Sequence, residues 1–337
     1  MKAREGDLLE TWDQIVFDVK GLLHPPERVV AFPRFVPDAR GNRRRGKKAY
    51  RKVYALSERY GFLESQLPNY LVFDPIFGER LCEVPSIDVR RHYTPTARLQ
   101  EMRDEEESNE LESAALSFLE LLQKHSGVAW NNLGISGSLL VKMHTLESDI
   151  DPIVYGVKSS LKLYEALEAL TRDEASLVKV YTRSGLRTLY GFRYRDTKVP
   201  FDDFTATESR KVLQGTFLGR DFFIRCIKDW DELEERYGDR VYKRVGRARI
   251  RARVSGDLDA ILTPCRYSVD NVQALNGKLG EAVSEIASFR GRFCEQARRG
   301  ETVIAEGKIE EVQDKDGLSY FRLLLGGKPT DFMILKK

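Results

Sequence analysis

Leu133-Gly-Ile-Ser-Gly-Ser-Leu-Leu-Val-Lys-Met-His-Thr-Leu-Glu-Ser-Asp-Ile-Asp-Pro-Ile-Val-Tyr155 decides the reading of this chain. The segment reads as a short apolar strand, a turn at Gly137-Ser138, a short helix, and a second strand that opens with Asp149 and Asp151. Side chains alternate along a strand, so the two carboxylates are expected to face one way. Two carboxylates a few ångströms apart repel each other unless a cation sits between them. Mg²⁺ is the hard divalent ion that suits such oxygens, keeps open positions and also takes phosphate. The Gly-Ser turn stands at the expected start of a helix, where free backbone N–H groups favour an anion. A phosphate cradle beside a metal-binding pair is equipment for phosphoryl or nucleotidyl transfer.

The flanks fit around this segment. Leu111, Ala114, Ala115, Phe118, Leu121 and Leu122 recur near helical spacing before the first strand, behind an acidic run from Glu101 to Glu112 that suits a helix start. Beyond Tyr155, Leu161, Tyr164, Leu167 and Leu170 mark a helix over Ser159–Thr171. Asp221 to Ile227 reads as a strand with Arg225 inside it. An arginine there is rarely free, so it either pairs with a carboxylate or is held for a phosphate.

Positive charge is clustered. Between a strand at Val29–Val36 and Tyr54 lies a basic loop, Arg40-Gly-Asn-Arg-Arg-Arg-Gly-Lys-Lys-Ala-Tyr-Arg-Lys52. Arg43, Arg44, Arg45, Lys47 and Lys48 are dense enough to neutralise phosphates, and Tyr50 could stack on a base. A basic and aromatic stretch runs from Tyr181 to Arg195. Arg247-Ala-Arg-Ile-Arg-Ala-Arg-Val254 alternates strictly. Arg247, Arg249, Arg251 and Arg253 therefore share one face and need anions, either acidic side chains or a polyanion. Arg249 and Arg251 join the candidate nucleic-acid contacts.

Composition sets the limits. A chain of 337 residues has room for two or three domains, and its 42% hydrophobic content supports a core. A net charge of +3 is too small to imply nucleic acid unaided. Cys82, Cys226, Cys265 and Cys294 are widely spaced, which predicts reduced thiols in a cytoplasmic protein and neither a zinc site nor a disulfide framework. The four histidines are scattered, which disfavours a histidine-based metal site. No apolar run has the length of a membrane span and no leader is expected.

Gly137, Ser138, Ser148, Asp149 and Asp151 together resemble the signature of the DNA polymerase β-like nucleotidyltransferase superfamily, and the flanks are similar to archaeal predicted nucleotidyltransferases. The resemblance implies an α+β fold. Its core would be a mixed sheet with flanking helices over residues 98–275. A small N-terminal α+β domain (1–97) and a β-rich C-terminal unit (276–337) would complete it. In that end, Leu279 to Arg299 reads as helix, with a hairpin over 302–312 and 318–325 and a last strand at 331–335. The resemblance further implies an NTP held at Gly137, Ser138 and Arg225, two Mg²⁺ ions (Mn²⁺ substituting) and pyrophosphate as product, while the basic and aromatic clusters favour RNA, such as tRNA, as the acceptor. A third metal ligand would come from Asp259, beside Asp257, in a segment like the Pro-Cys-Tyr ending of tail-adding members; Asp202 or Asp203 is the rival. The competing expectation is a nucleic-acid-binding protein with little or no catalysis.

Overall fold

A computed structural model describes residues 1–277 and 282–336. The chain forms two units. Unit 1 comprises Met1–Asp74, Glu79–Lys179 and Gly215–Asp229; unit 2 comprises Pro75–Gly78, Val180–Gln214 and Trp230–Lys337.

Unit 1 begins with β1 (Leu8–Thr11), β2 (Val16–Val19), β3 (Arg28–Pro37), β4 (Arg43–Arg45), β5 (Lys48–Lys52), α1 (Leu56–Gln66), β6 (Leu71–Asp74), β7 (Glu79–Pro85) and β8 (Val89–Tyr93). They make one eight-stranded sheet, ordered β4-β5-β3-β2-β1-β8, with β7 joining β3 to β6. Neighbouring apolar residues face opposite ways, so this sheet is buried on both sides. Leu9, Phe17, Val19, Ala31 and Val36 pack with Leu63 and Tyr70. Leu8, Val16, Phe35 and Tyr50 pack instead with Leu140, Val141 and Met143, which follow the Gly-Ser turn.

The unit continues with α2 (Pro95–Asp104), α3 (Glu110–Ser126), β9 (Leu133–Ile135), α4 (Gly137–Leu140), β10 (Pro152–Tyr155), α5 (Val157–Arg172) and β11 (Val178–Lys179). Asn109 caps α3 reciprocally with Glu112. After an excursion through α6 (Arg183–Arg193) and α7 (Phe201–Glu208) of unit 2, the chain adds β12 (Gln214–Phe217), β13 (Arg220–Phe223) and β14 (Arg225–Ile227). β10 lies between β9, antiparallel, and β14, parallel. Pro152 stands at the first position of β10, where a missing N–H is tolerated.

Unit 2 is dominated by β15 (Arg240–Gly256), β16 (Cys265–Asn276), β17 (Val283–Ser288), β18 (Thr302–Asp314), β19 (Ser319–Leu325) and β20 (Phe332–Leu335). The order β15-β16-β17-β19-β18 closes through β15–β18 pairing into a five-stranded barrel, with β20 beside β18. Ala248, Ile250, Ala252 and Val254 are buried, as the strict alternation of β15 requires. Leu186, Val199 and Phe204 of the α6–α7 region form a second small core, with Phe332 and Ile334 of β20 against it.

This architecture overturns the expected fold class. Strand exceeds helix, 37% against 28%, and the main layers are a curled sheet and a closed barrel, not a helix-flanked mixed sheet with small appendages. The reason is long-range pairing. β3 bonds to β2, β5 and β7, and β15 bonds to strands on both sides, which no local window reveals. The helix expected over Leu279–Arg299 is strand β17 followed by a short turn. Val283, Ile286 and Ala287 have helical spacing, yet closing the barrel takes precedence over local pattern. Leu279, Gly280 and Glu281 lie outside the described residues. The boundaries expected at 97/98 and 275/276 fall inside unit 1 and unit 2 respectively. No helix among the described residues is long and apolar enough to cross a membrane.

Candidate phosphate and metal site

The Gly-Ser turn is built against Asp151. Ser136 at the end of β9 donates its N–H to the Asp151 carbonyl (2.9 Å) and its Oγ to the Gly6 carbonyl (2.6 Å). Gly137 has φ +64°, and a Cβ on it would lie 1.9 Å from Asp151 Oδ2. Only glycine permits both the conformation and that approach. Ser138 is 5% exposed, and its Oγ has no hydrogen-bond partner among the described residues. A buried hydroxyl left unbonded is costly, so a water or a ligand has to supply its partner. α4 is a single turn of four residues. Its dipole is therefore small, and the helix N-terminus that the sequence suggested for an anion offers little.

Asp151 is 7% exposed and Asp149 is half-buried. Burial first, and the neighbouring Asp149 second, push the Asp151 carboxyl up to about 6 against the opposing pull of Arg225, Arg34 and Lys52. Arg225 Nη2 stands 3.9 Å from Asp151 Oδ1, and its Nη1 donates to Glu5 Oε1 at 3.4 Å. Arg225 Nε is buried without a partner. The sequence left Arg225 between carboxylate pairing and phosphate holding; its first bonds are to carboxylates, with one donor spare. Burial and Arg34 lower the Lys52 pKa, while Asp149 and Asp151 raise it. Asp149, Arg34 and Lys52 have no ion pair or side-chain hydrogen bond among the described residues. The pair of carboxylates thus lies in the field of cations that β3, β5 and β14 carry.

Arg43 does not wait on the surface for nucleic acid. It donates to Ser148 Oγ (2.7 Å), Thr145 Oγ1 (3.2 Å) and the Met143 carbonyl (3.4 Å), fastening the loop that delivers Asp149. Arg45 is bonded to Glu10 (2.5 Å), Tyr93 (2.9 Å) and Tyr50 (3.1 Å). Tyr50 is 1% exposed and cannot stack on a base. Arg44, Lys47 and Lys48 are exposed on the hairpin.

The remaining candidates lie in unit 2. Asp259 is held by Arg266 (2.8 Å), and Asp257 accepts the Arg299 N–H (2.9 Å). Asp202 and Asp203 sit in the first turn of α7. No group of three or more His, Cys, Asp or Glu among the described residues could hold a metal, so no third carboxylate joins Asp149 and Asp151 there. The arginine face of β15 is largely neutralised from within: Arg247 by Asp331 (2.6 Å), Arg249 by Glu306 (2.8 Å) and Arg253 by Asp270 (2.7 Å). Arg251 is half-buried and has no ion pair among the described residues. Sequence reasoning missed Arg34 and Lys52. Arg34 interrupts the apolar run Val29–Val36 as Arg225 interrupts its own strand, and that signal was available.

Over 334 residues the chain is 32% identical to the uncharacterized protein MJ1086 of Methanocaldococcus jannaschii, covering 97% of this chain and 96% of that protein. The chain belongs to the MJ1086 family. The match takes in both units. No protein-family model matches the chain, and no solved structure matches it.

Proposed function

We propose that the chain transfers a nucleotidyl group from an NTP to a hydroxyl, with RNA as the acceptor. One observation carries this reading: the buried, unbonded Ser138 hydroxyl lies in the turn that presses Gly137 onto Asp151. Asp149 and Asp151 fit one Mg²⁺, since this ion is commonly held by one or two carboxylates, with waters and substrate phosphates filling the rest. The strained protonation of Asp151 is the deficit that a cation would relieve. When bound, Mg²⁺ supplies Lewis acidity and neutralises phosphate charge.

The chain's own groups do the rest. Ser138 donates to a non-bridging phosphate oxygen, and Gly137 lets the backbone approach it. Arg34, Lys52 and the spare Arg225 Nε offset charge on the departing pyrophosphate. The acceptor oxygen bonds to the α-phosphorus, the α–β phosphoanhydride bond breaks, pyrophosphate leaves, and the hydroxyl proton goes to water.

A second reading is favoured by the missing third carboxylate among the described residues: a nucleotide and RNA binder with little catalysis. Incubation with Mg²⁺, each labelled NTP and total RNA separates the two. Label on RNA that Asp151→Asn removes supports transfer. NTP and RNA binding without any labelled product supports the second reading.

A further inference from the structure

We propose that Cys265 and Cys294 are the two halves of a disulfide that closes as the chain folds in the presence of a small external disulfide, and that staples the β17–β18 connection to the head of β16. Both are thiols in the structure, and both are buried, at 1% and 3% exposure. Cys265 is the first residue of β16, and Cys294 follows the helical turn Gly291–Phe293 between β17 and β18. The two thiols are hydrogen-bonded to each other. Cys294 Sγ also donates to the Leu262 carbonyl (3.1 Å) and stands 3.7 Å from Thr263 Oγ1, while Cys265 Sγ donates to the Ser288 carbonyl (3.6 Å). The backbone on either side is already fastened. Glu295 donates its N–H to the Ala260 carbonyl (2.9 Å). The Tyr267 hydroxyl donates to the Phe293 carbonyl (2.7 Å) and accepts from the Gln296 N–H (2.9 Å). A bond between these sulfurs therefore asks for little movement of the chain.

While the connection is open, one cysteine thiolate attacks a sulfur of the external disulfide, oxidised glutathione for example, and expels one glutathione thiolate. The second cysteine sulfur attacks the mixed disulfide and expels the other glutathione. Two S–H bonds are lost, one S–S bond forms, and both electrons and both protons leave with the two glutathione molecules. An S–H is a weak donor, so little is lost with the bonds to Leu262 and Ser288. Burial, and then the bond with Cys294, hold the Cys265 thiol well above its ordinary range. In the folded chain it is therefore a poor nucleophile, which places closure during folding; the same burial then keeps the closed bridge away from reductants. The loop it closes contains the rest of β16 and all of β17, so the bridge restricts the unfolded chain across two barrel strands. Cys82 is the contrast: it packs with Val29, Ala31 and Val84 in the apolar core of unit 1, as a small hydrophobe does. The bridge is independent of nucleotidyl transfer.

The test refolds the full chain from urea in two buffers, one with reduced and oxidised glutathione and one with dithiothreitol. Free thiols are then blocked with iodoacetamide in denaturant and the peptides mapped by mass spectrometry. A chain that does not refold is instead held near its melting temperature in the same buffers. All four cysteines are expected to be blocked after dithiothreitol. After glutathione only Cys82 and Cys226 are expected to be blocked, with a peptide pair joined through Cys265 and Cys294. The melting temperature of the glutathione sample is expected to stand higher by about 5–10 °C. Cys265→Ala and Cys294→Ala are each expected to abolish that rise, so either variant that folds suffices. Four blocked cysteines in the glutathione buffer, a lasting glutathione adduct on Cys265 or Cys294, or a bridge through Cys82 or Cys226 overturns the proposal. A Cys265–Cys294 bridge without a rise in melting temperature overturns its role as a staple.

Discussion

Gly137 and Ser138 are neighbours whose loss is expected to have opposite effects on stability. Ser138→Ala removes a buried hydroxyl that bonds to nothing, so the variant is expected to melt at or above the parent's temperature while losing affinity for ATP. Adenosine affinity is expected to stay level, and isothermal titration with both ligands checks this. Gly137→Ala meets a left-handed backbone and the Asp151 carboxylate together, and is expected to lose about 1–3 kcal/mol as well as activity. Asp151 makes a pH prediction. Its folded-state pKa of about 6 stands above the ordinary 3.8, so between those values the folded chain keeps a proton that the unfolded chain has lost. Its contribution is therefore complete below pH 4 and lost as pH rises through 6. Asp151→Asn is expected to remove this trend, so the variant gains on the parent by on the order of 2 kcal/mol between pH 4 and pH 7. His24, lowered to about 4 mainly by burial, runs the other way in the same window and cancels in the comparison. Urea melts of both proteins at pH 4, 5.5 and 7, without metal, decide it. At this scale the sequence was legible where the chemistry is local: the glycine, the serine and both aspartates lie within a short stretch. Arg34 and Lys52 were not legible, because strand pairing, not sequence distance, brings their charges to that stretch.

Among the elements, the β4–β5 hairpin changes most between sequence and structure. Density of charge suggested a nucleic-acid loop remote from the catalytic segment. Instead alternation along β4 turns Arg43 and Arg45 inward and leaves Arg44 outside. Burial lowers the Arg43 pKa while Asp149 raises it, and its guanidinium closes the loop from Met143 to Ser148. Arg43→Ala is expected to cost about 1–3 kcal/mol and most of the transfer activity, since Ser148 and Thr145 lose a charged donor. Arg44→Ala is expected to be nearly silent in both. Equal behaviour of the two variants in thermal melts and in the label-transfer assay would return the hairpin to a surface role. The first strand, the turn and the helix after the second strand were readable because each satisfies its own periodicity, but the second strand begins at Pro152, after the two aspartates expected to open it. The closing strand β17 was not, since its three apolar positions fit a helix as well as a strand.

For the molecule as a whole, the expectation that Asp259 completes the metal site meets a carboxylate already engaged. Asp259→Asn is expected to leave the Mg²⁺-induced rise in melting temperature unchanged, and to weaken the pair with Arg266, worth about 0–1 kcal/mol for partly exposed partners. Loss of the Mg²⁺ response in that variant would restore Asp259 as a ligand. The barrel was half legible: the alternation of β15 and the hairpin of β18 and β19 stood in the sequence, but the closure of β18 onto β15 did not. The interleaved course of the chain has a further consequence, for birth on the ribosome. β10, which carries Asp151 at its threshold, emerges long before β14 brings Arg225 alongside, and the whole α6–α7 excursion is translated in between. Until then the nascent sheet lacks its parallel edge, and Asp151 lacks the nearest cation that favours its charge. The unit that holds Asp149 and Asp151 is therefore completed late, and a chain released before residue 225 is stranded without the parallel edge beside Asp151.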